Sequence, residues 1–137
     1  MDGKLMEYFN RQPRLGVIST SSKDGRVDSA VYGSPQMIDE KTVMVAFARG
    51  RTWANLLENP HAVYMIMEPG EGLLDWKGVR VYLRMLEHFE SGPRLEAYKK
   101  EAAKVVGEEA VKMIAVLATF EVEEVRPLID FGQGWEK

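Results

Sequence analysis

Apolar and polar residues alternate along several short segments of the chain, and this period of two is typical of β-strands. The longest alternating segment is 77–90, where Val79, Val81 and Leu83 are separated by charged or aromatic side chains. Five further segments have strand-like composition between turn residues: 15–22, 26–34, 42–48, 62–67 and 113–125. The first half of the last segment is apolar on both faces, which predicts a central position in a sheet.

Other segments have apolar residues three or four positions apart, a spacing that predicts short helices. Leu5, Met6 and Phe9 share one face of segment 2–12, which Pro13 ends. The sequence ARGRTWANLLENP, at positions 48–60, predicts a second helix. Its apolar residues lie one turn apart: Trp53, Leu56 and Leu57.

A third helix is predicted to begin after Ser91 or Gly92 and to end at Gly107. Pro93 lies in its first turn, where a missing backbone N–H costs nothing. One face of this helix carries an apolar stripe that consists of Leu95, Tyr98, Ala102 and Val105.

Short turns connect most of the predicted strands, and short connections require antiparallel pairing. The sequence KDG at 23–25 and the turn at 39–41 are two of these links, and EPGEG at 68–72 is a loop. Six strands with few helices favour closure into a small barrel, because closure removes exposed strand edges. The expected fold is therefore mainly β with short helices, in a single domain over 1–137.

Composition narrows the classes of function. The chain has 137 residues, of which 45% are hydrophobic, and a net charge of -3. No basic stripe is present, so nucleic acid is not an expected partner. The absence of cysteine excludes disulfides, thiol nucleophiles and cysteine-ligated metals. No signal-peptide or membrane-spanning apolar run is present, so we expect a cytoplasmic protein that does not bind a membrane.

Candidate chemistry is concentrated at the start of the second predicted helix. Arg49, Arg51 and Thr52 follow a strand and precede the helix. A helix start has free backbone N–H groups and a partial positive charge, and arginine binds phosphate through two parallel hydrogen bonds. The pattern is therefore compatible with an anion site. The alternative is an ordinary helix start, with Thr52 as N-cap and solvated arginines.

Three stretches together resemble a known family. They are GVISTSSKDGRVDSAVYGSP, TVMVAFARGRTWANLLENPHAVYMIM and KGVRVYLRMLEHFE. These resemble the FMN-binding split-barrel family, the superfamily of pyridoxamine 5'-phosphate oxidase-like and small bacterial FMN-binding proteins. The resemblance covers about residues 1–125, and its most specific element is RT…ANLLENP. It implies a six-stranded antiparallel split β-barrel and a homodimer with FMN at the subunit interface.

The resemblance also implies which residues bind the cofactor. Arg51 and Thr52 correspond to the phosphate ligands, and Arg49 is the candidate to supply the charge that Thr52 lacks. The strand expected to follow the flavin and ribityl chain contributes Ser29, Ala30, Val31 and Tyr32. The neighbouring strand beside the ring contributes Val45, Ala46 and Phe47. Trp53 is expected in helix packing, whereas Trp76 and Trp135 are candidates to reach the partner subunit's flavin.

The expected function is an FMN-binding flavoprotein, an oxidoreductase that acts on a small substrate with NAD(P)H as a candidate donor. A non-enzymatic flavin carrier or electron-transfer protein is the alternative, and a deazaflavin- or haem-binding split barrel is a second one. His61 and His88 are isolated and predict no metal site, although His88 could be a haem ligand. No catalytic residue is identified. The tail FGQGWEK does not resemble the substrate-binding terminus of pyridoxamine phosphate oxidases, which argues against that reaction.

Overall fold

The computed structural model describes residues 3–131 and is mainly β with short helices. The strands are β1 (Gly16–Ser21), β2 (Val27–Val31), β3 (Gln36–Asp39), β4 (Thr42–Phe47), β5 (His61–Glu68), β6 (Lys77–Phe89) and β7 (Val116–Pro127). The helices are α1 (Lys4–Asn10), α2 (Arg51–Glu58), α3 (Pro93–Val106) and α4 (Glu108–Val111). The segment Leu73–Asp75 forms one 3-10 turn.

The strands form one antiparallel sheet in the order β2-β1-β5-β6-β7-β4-β3. The sequence predicted six strands in a closed barrel, but the described sheet has seven strands and remains open between β2 and β3. The additional strand is β3, which pairs with β4 through Gln36–Met44 and Met37–Val43. The predicted central position of the last strand is confirmed, since β7 lies between β6 and β4.

One face of the sheet holds the core. Ile18, Tyr64 and Val81 are adjacent across β1, β5 and β6, and all three are fully buried. Leu5 and Phe9 of α1 cover one part of this face, as the sequence predicted. Trp53 and Leu56 of α2 belong to the same core. Burial of each such side chain contributes about 1.5–3 kcal/mol to folding, so the core holds α2 firmly on the sheet.

The boundaries of several elements differ from those predicted. β2 ends at Val31 rather than at position 34, and β7 begins at Val116 rather than at 113. Gly92 is the N-cap of α3, with Pro93 following it, as expected. Trp76 is exposed next to the 3-10 turn, and Trp135 lies outside the described residues. None of the helices within residues 3–131 has the length and hydropathy needed to cross a bilayer.

Candidate functional site

The first turn of α2 lies just beyond the end of β4. Gly50 is the N-cap, in extended backbone conformation, and no side chain caps the helix. Thr52 is therefore not the N-cap, contrary to one of the two interpretations of the sequence. Arg51 is the first helical residue and its side chain is exposed. The uncapped N–H groups and the helix dipole make this end of α2 attractive to an anion.

Thr52 is buried and directed towards Tyr32. The Thr52 side chain lies beside the Tyr32 hydroxyl, and the Tyr32 ring lies 5.4 Å from the ring of Phe47. Burial raises the pKa of Tyr32, Asp28 raises it further, and the contact with Thr52 opposes the shift. Tyr32 is therefore protonated at neutral pH. Thr52 is buried and uncharged, so it adds no positive charge at the surface of the helix.

Two buried contacts fix α2 in place. The Asn55 side-chain amide donates a 3.1 Å hydrogen bond to the Thr20 hydroxyl of β1. The Trp53 ring packs 5.5 Å from Phe47 and 5.0 Å from His88. Trp53 is only 3% exposed, which agrees with its expected role in packing. The first contact holds α2 against β1, and the second packs it against β4 and β6.

A cleft of about 340 Å³ separates the β1–β2 hairpin from one face of α2. Arg26 lines it from the hairpin and Arg51 from the helix, and we call it the hairpin cleft. The hairpin is closed by backbone bonds from Ser22 to Arg26 and from Gly25 to Ser22. Within residues 3–131, neither Arg26 nor Arg51 forms an ion pair. Two arginines without an ion pair in the described residues thus line one cleft.

Two acidic residues also line the hairpin cleft. Glu58 accepts a 3.1 Å hydrogen bond from the backbone N–H of Lys23, so one of its oxygens is occupied. Asp24 lies in the hairpin turn. The cleft is therefore not strongly cationic overall. Its two positive charges are Arg26 and Arg51, of which Arg51 is the first residue of α2.

Arg49 does not reach the hairpin cleft. Its guanidinium pairs with Glu90 at 3.3 Å, and its side chain is 68% exposed. Glu90 also lies 3.6 Å from the imidazole of His88. The sequence suggested that Arg49 replaces the charge missing at Thr52, but the structure places Arg26 there instead. Sequence reasoning missed Arg26, and its position directly after the KDG turn was the only signal for it.

The edge of the sheet next to the cleft is formed by β2. Backbone bonds to β1 involve Arg26 and Tyr32, and bonding residues alternate in an antiparallel pair. The backbone N–H and C=O groups of Val27, Ser29 and Val31 therefore face away from β1. Within the described chain no strand pairs with this edge. It provides alternating donors and acceptors beside the two arginines.

The remaining predicted residues divide between surface and core. Ser29 and Val31 are exposed on β2, and the Ser29 hydroxyl contacts that of Ser19 at 2.8 Å. Ala30 is half-buried on the opposite face. The side chains of three residues of β4 are buried: Val45, Ala46 and Phe47. The backbone N–H and C=O of Ala46 both bond to the Ser34 hydroxyl, so this part of β4 is closed to a ligand.

A second cleft of about 280 Å³ adjoins the first on the outer face of the sheet. Val27 lines both clefts, and Ser19, Val63 and Tyr82 line the second. His61 lies at its margin and pairs with Glu123 at 3.3 Å. Residues 3–131 contain no cluster of three or more His, Asp or Glu side chains that could hold a metal ion. The two clefts meet at Val27, and the second extends from there across β1, β5 and β6.

The similarities of this chain to known proteins are similarities to solved structures. No protein-family model and no curated protein matches the chain. An FMN-binding protein from Syntrophomonas wolfei subsp. wolfei has a TM-score of 0.74 at 21% identity, over 93% of this chain and 84% of that one. HupZ from Group A Streptococcus has a TM-score of 0.74 at 21% identity, over 95% and 96% of the two chains.

A third similar structure belongs to a protein with a different ligand. HutZ, the heme storage protein from Vibrio cholerae, has a TM-score of 0.66 at 14% identity, over 88% of this chain and 90% of that one. At these identities the similarity shows the fold. The split-barrel resemblance of the sequence is confirmed as a fold, one that similar proteins use for flavin and for haem.

Proposed function

We propose that the protein binds FMN along β2 and acts as a flavin-dependent oxidoreductase. The split-barrel fold is the starting point of this proposal. The observation that carries the proposal is the position of Arg26 and Arg51. Each lines the hairpin cleft from a different element, and neither has an ionic partner within the described chain. The likeness to an FMN-binding protein of S. wolfei supports the same ligand.

The phosphate of FMN fits the hairpin cleft. Arg26 and Arg51 can each donate charge-assisted hydrogen bonds, which contribute about 1.5–3 kcal/mol apiece. The first-turn N–H groups of α2 add donors of the same polarity. The two acids in the cleft favour a single phosphate over a longer anionic tail, which argues against the deazaflavin alternative.

The flavin ring fits the adjoining edge of β2. Free backbone groups at Val27, Ser29 and Val31 offer both donors and acceptors, and the pyrimidine part of a flavin carries both kinds of group. The Val27 and Val31 side chains are 81% and 70% exposed, so apolar surface is available beside this edge. In this arrangement Val45, Ala46 and Phe47 support the site from the core rather than contact the ligand.

We place a second copy of the chain over the same face. Val31, Val17 and Met65 are adjacent across β2, β1 and β5 on the side of the sheet that faces away from the core. Burial of this apolar row would stabilise a homodimer and would cover a flavin lying on β2. Sedimentation equilibrium tests the assembly. A dimer is expected, and a monomer with bound FMN would remove this part of the proposal.

Bound FMN would supply hydride or electron transfer, and the protein supplies position and electrostatics. Arg26 and Arg51 hold the anionic end, and the β2 edge orients the ring. We propose NAD(P)H as donor and a small molecule as substrate. The alternative is a non-enzymatic carrier or electron-transfer protein. Anaerobic mixing of FMN-loaded protein with NADPH separates the two, because only the enzyme is expected to be bleached rapidly.

The haem alternative receives less support from the histidines. His88 packs against Trp53 and lies near Glu90, so its ring is engaged on two sides. His61 is paired with Glu123 at the margin of the outer cleft. Each imidazole thus already has a neighbouring carboxylate.

Substitution of Arg51 tests the placement of the phosphate. Arg51→Ala should weaken FMN binding by about 1.5–3 kcal/mol, which is about tenfold to 100-fold. Riboflavin, which lacks the phosphate, should bind wild type and variant equally. Arg94→Ala, on α3, removes an exposed arginine elsewhere and should change neither affinity. Equal FMN affinity in wild type and Arg51→Ala would show that the phosphate does not lie in the hairpin cleft.

A further inference from the structure

Another cleft lies away from the hairpin cleft. It has a volume of about 510 Å³ and lies between α1, the segment before β1, and the end of β5. We call it the α1 cleft. Leu15 lines it at one end of β1, whereas Ser22 lines the hairpin cleft at the other end. A strand of this length separates the two clefts by about 20 Å.

The lining of the α1 cleft is mostly apolar. Its apolar residues are Pro13, Leu15, Ile66, Met67 and Pro69. Leu15 is one of the exposed large apolar residues of the chain. The volume lies within the range of about 300–1,000 Å³ that is typical of small-molecule sites. The cleft can therefore accept an apolar body of one or two rings.

Arg14 places a fixed positive charge on the wall of the α1 cleft. Its Nη1 and Nη2 donate to the carbonyl oxygens of Phe9 and Gly33, at 2.7 and 2.9 Å. The guanidinium also lies 5.3 and 5.2 Å from the ring centres of Phe9 and Tyr64. Within residues 3–131 no carboxylate pairs with Arg14. A half-buried charge without a counterion is costly, which favours an anion nearby.

Two further charged groups lie at the rim of the α1 cleft. Arg11 is exposed, stacks 4.9 Å from the Tyr8 ring and has no ion pair within the described chain. Glu68 accepts a hydrogen bond from the Tyr8 hydroxyl. The two arginines and one carboxylate leave a single positive charge uncompensated.

We propose that the α1 cleft is a second ligand site, separate from the flavin site, for a small apolar monocarboxylate. One negative charge balances the excess positive charge, and the mostly apolar lining favours an anion with an apolar body over inorganic phosphate. A cationic ligand would meet two guanidinium groups. The carboxylate lies at Arg11 and Arg14, and the apolar body lies over Leu15 and Ile66.

Calorimetric titration of the full chain with 2-naphthoate tests the proposal. Saturable binding with one site per chain is expected, with affinity that decreases as salt is added. The uncharged 2-naphthylmethanol has the same rings and should bind at least several-fold more weakly. The cationic 2-naphthylmethylamine should not bind. Saturating FMN should leave the affinity for 2-naphthoate unchanged, because the two sites are separate.

Substitutions test whether 2-naphthoate binds in the α1 cleft. Arg11→Gln and Leu15→Asp change exposed rim residues and should each weaken 2-naphthoate several-fold, whereas Arg94→Gln should have no effect. Arg14 is left intact because it ties α1 to the backbone at Gly33. Absence of saturable binding overturns the proposal. So does equal binding of the uncharged alcohol, unchanged affinity in both rim variants, or displacement of 2-naphthoate by FMN.

Discussion

Asn55 of α2 and Thr20 of β1 are joined by a buried 3.1 Å hydrogen bond between their side chains. The residues are 35 positions apart, and their contact brings two elements of the candidate site together. Arg51 lies one turn before Asn55, and Arg26 lies on the hairpin that β1 begins. The separation of the two arginines across the cleft thus depends on this contact.

Asn55→Ala should lower the stability of the fold. The substitution leaves the Thr20 hydroxyl buried without its partner, which costs about 1–3 kcal/mol. Urea unfolding followed by tryptophan fluorescence measures the free energy. Leu57→Ala on the same helix is the control, because Leu57 is 57% exposed and its truncation should cost much less. Equal losses in the two variants would show that the hydrogen bond does not fix α2.

Arg26→Ala and Arg49→Ala should affect FMN binding differently. Arg26 faces Arg51 across the hairpin cleft, whereas Arg49 pairs with Glu90. We expect Arg26→Ala to weaken FMN by about tenfold or more and Arg49→Ala to change it by less than about threefold. Fluorescence titration of FMN with each protein measures both values. If Arg49→Ala weakened FMN binding more than Arg26→Ala, Arg49 would belong to the phosphate site, as the sequence suggested.

The stability of the fold should decrease at alkaline pH. Burial raises the pKa of Tyr32, Tyr64 and Tyr98 above the ordinary value of 10.0. The folded state therefore keeps protons that the unfolded chain releases above about pH 10, so the free energy of unfolding falls from there upwards.

Urea unfolding between about pH 9 and about pH 11 measures this decline. Tyr98→Phe should make the decline shallower, because burial alone causes its shift and the variant has no hydroxyl to ionise. A free energy of unfolding that stays constant across this range in the wild type would contradict the expectation.

Much of the fold was predictable from local pattern. Alternation and strand-like composition between turn residues located six strands, and the apolar run of the last one placed it correctly inside the sheet. β3 was missed because Gln36–Asp39 is only four residues long and follows Pro35, so it contains too few positions to show a period. β3 forms because it pairs with β4, and the sequence of this short segment does not indicate that pairing.

The candidate site was only partly predictable for the same reason. Arg51 and Thr52 are marked by their place at a helix start, which is a local property. Arg26 reaches the cleft because the hairpin packs beside α2, and Arg49 is drawn away by Glu90, 41 positions later in the chain. Both outcomes are set by contacts between distant segments. The sequence assigned Thr52 to the phosphate, but its side chain is buried beside Tyr32.

The uptake of FMN by the purified protein tests the central proposal most directly. Titration of FMN fluorescence with the full chain should show saturable binding of one FMN per chain. Riboflavin should bind about tenfold or more weakly, because it lacks the phosphate that Arg26 and Arg51 hold. A colourless protein that fails to bind added FMN would contradict the proposal, as would equal affinities for FMN and riboflavin.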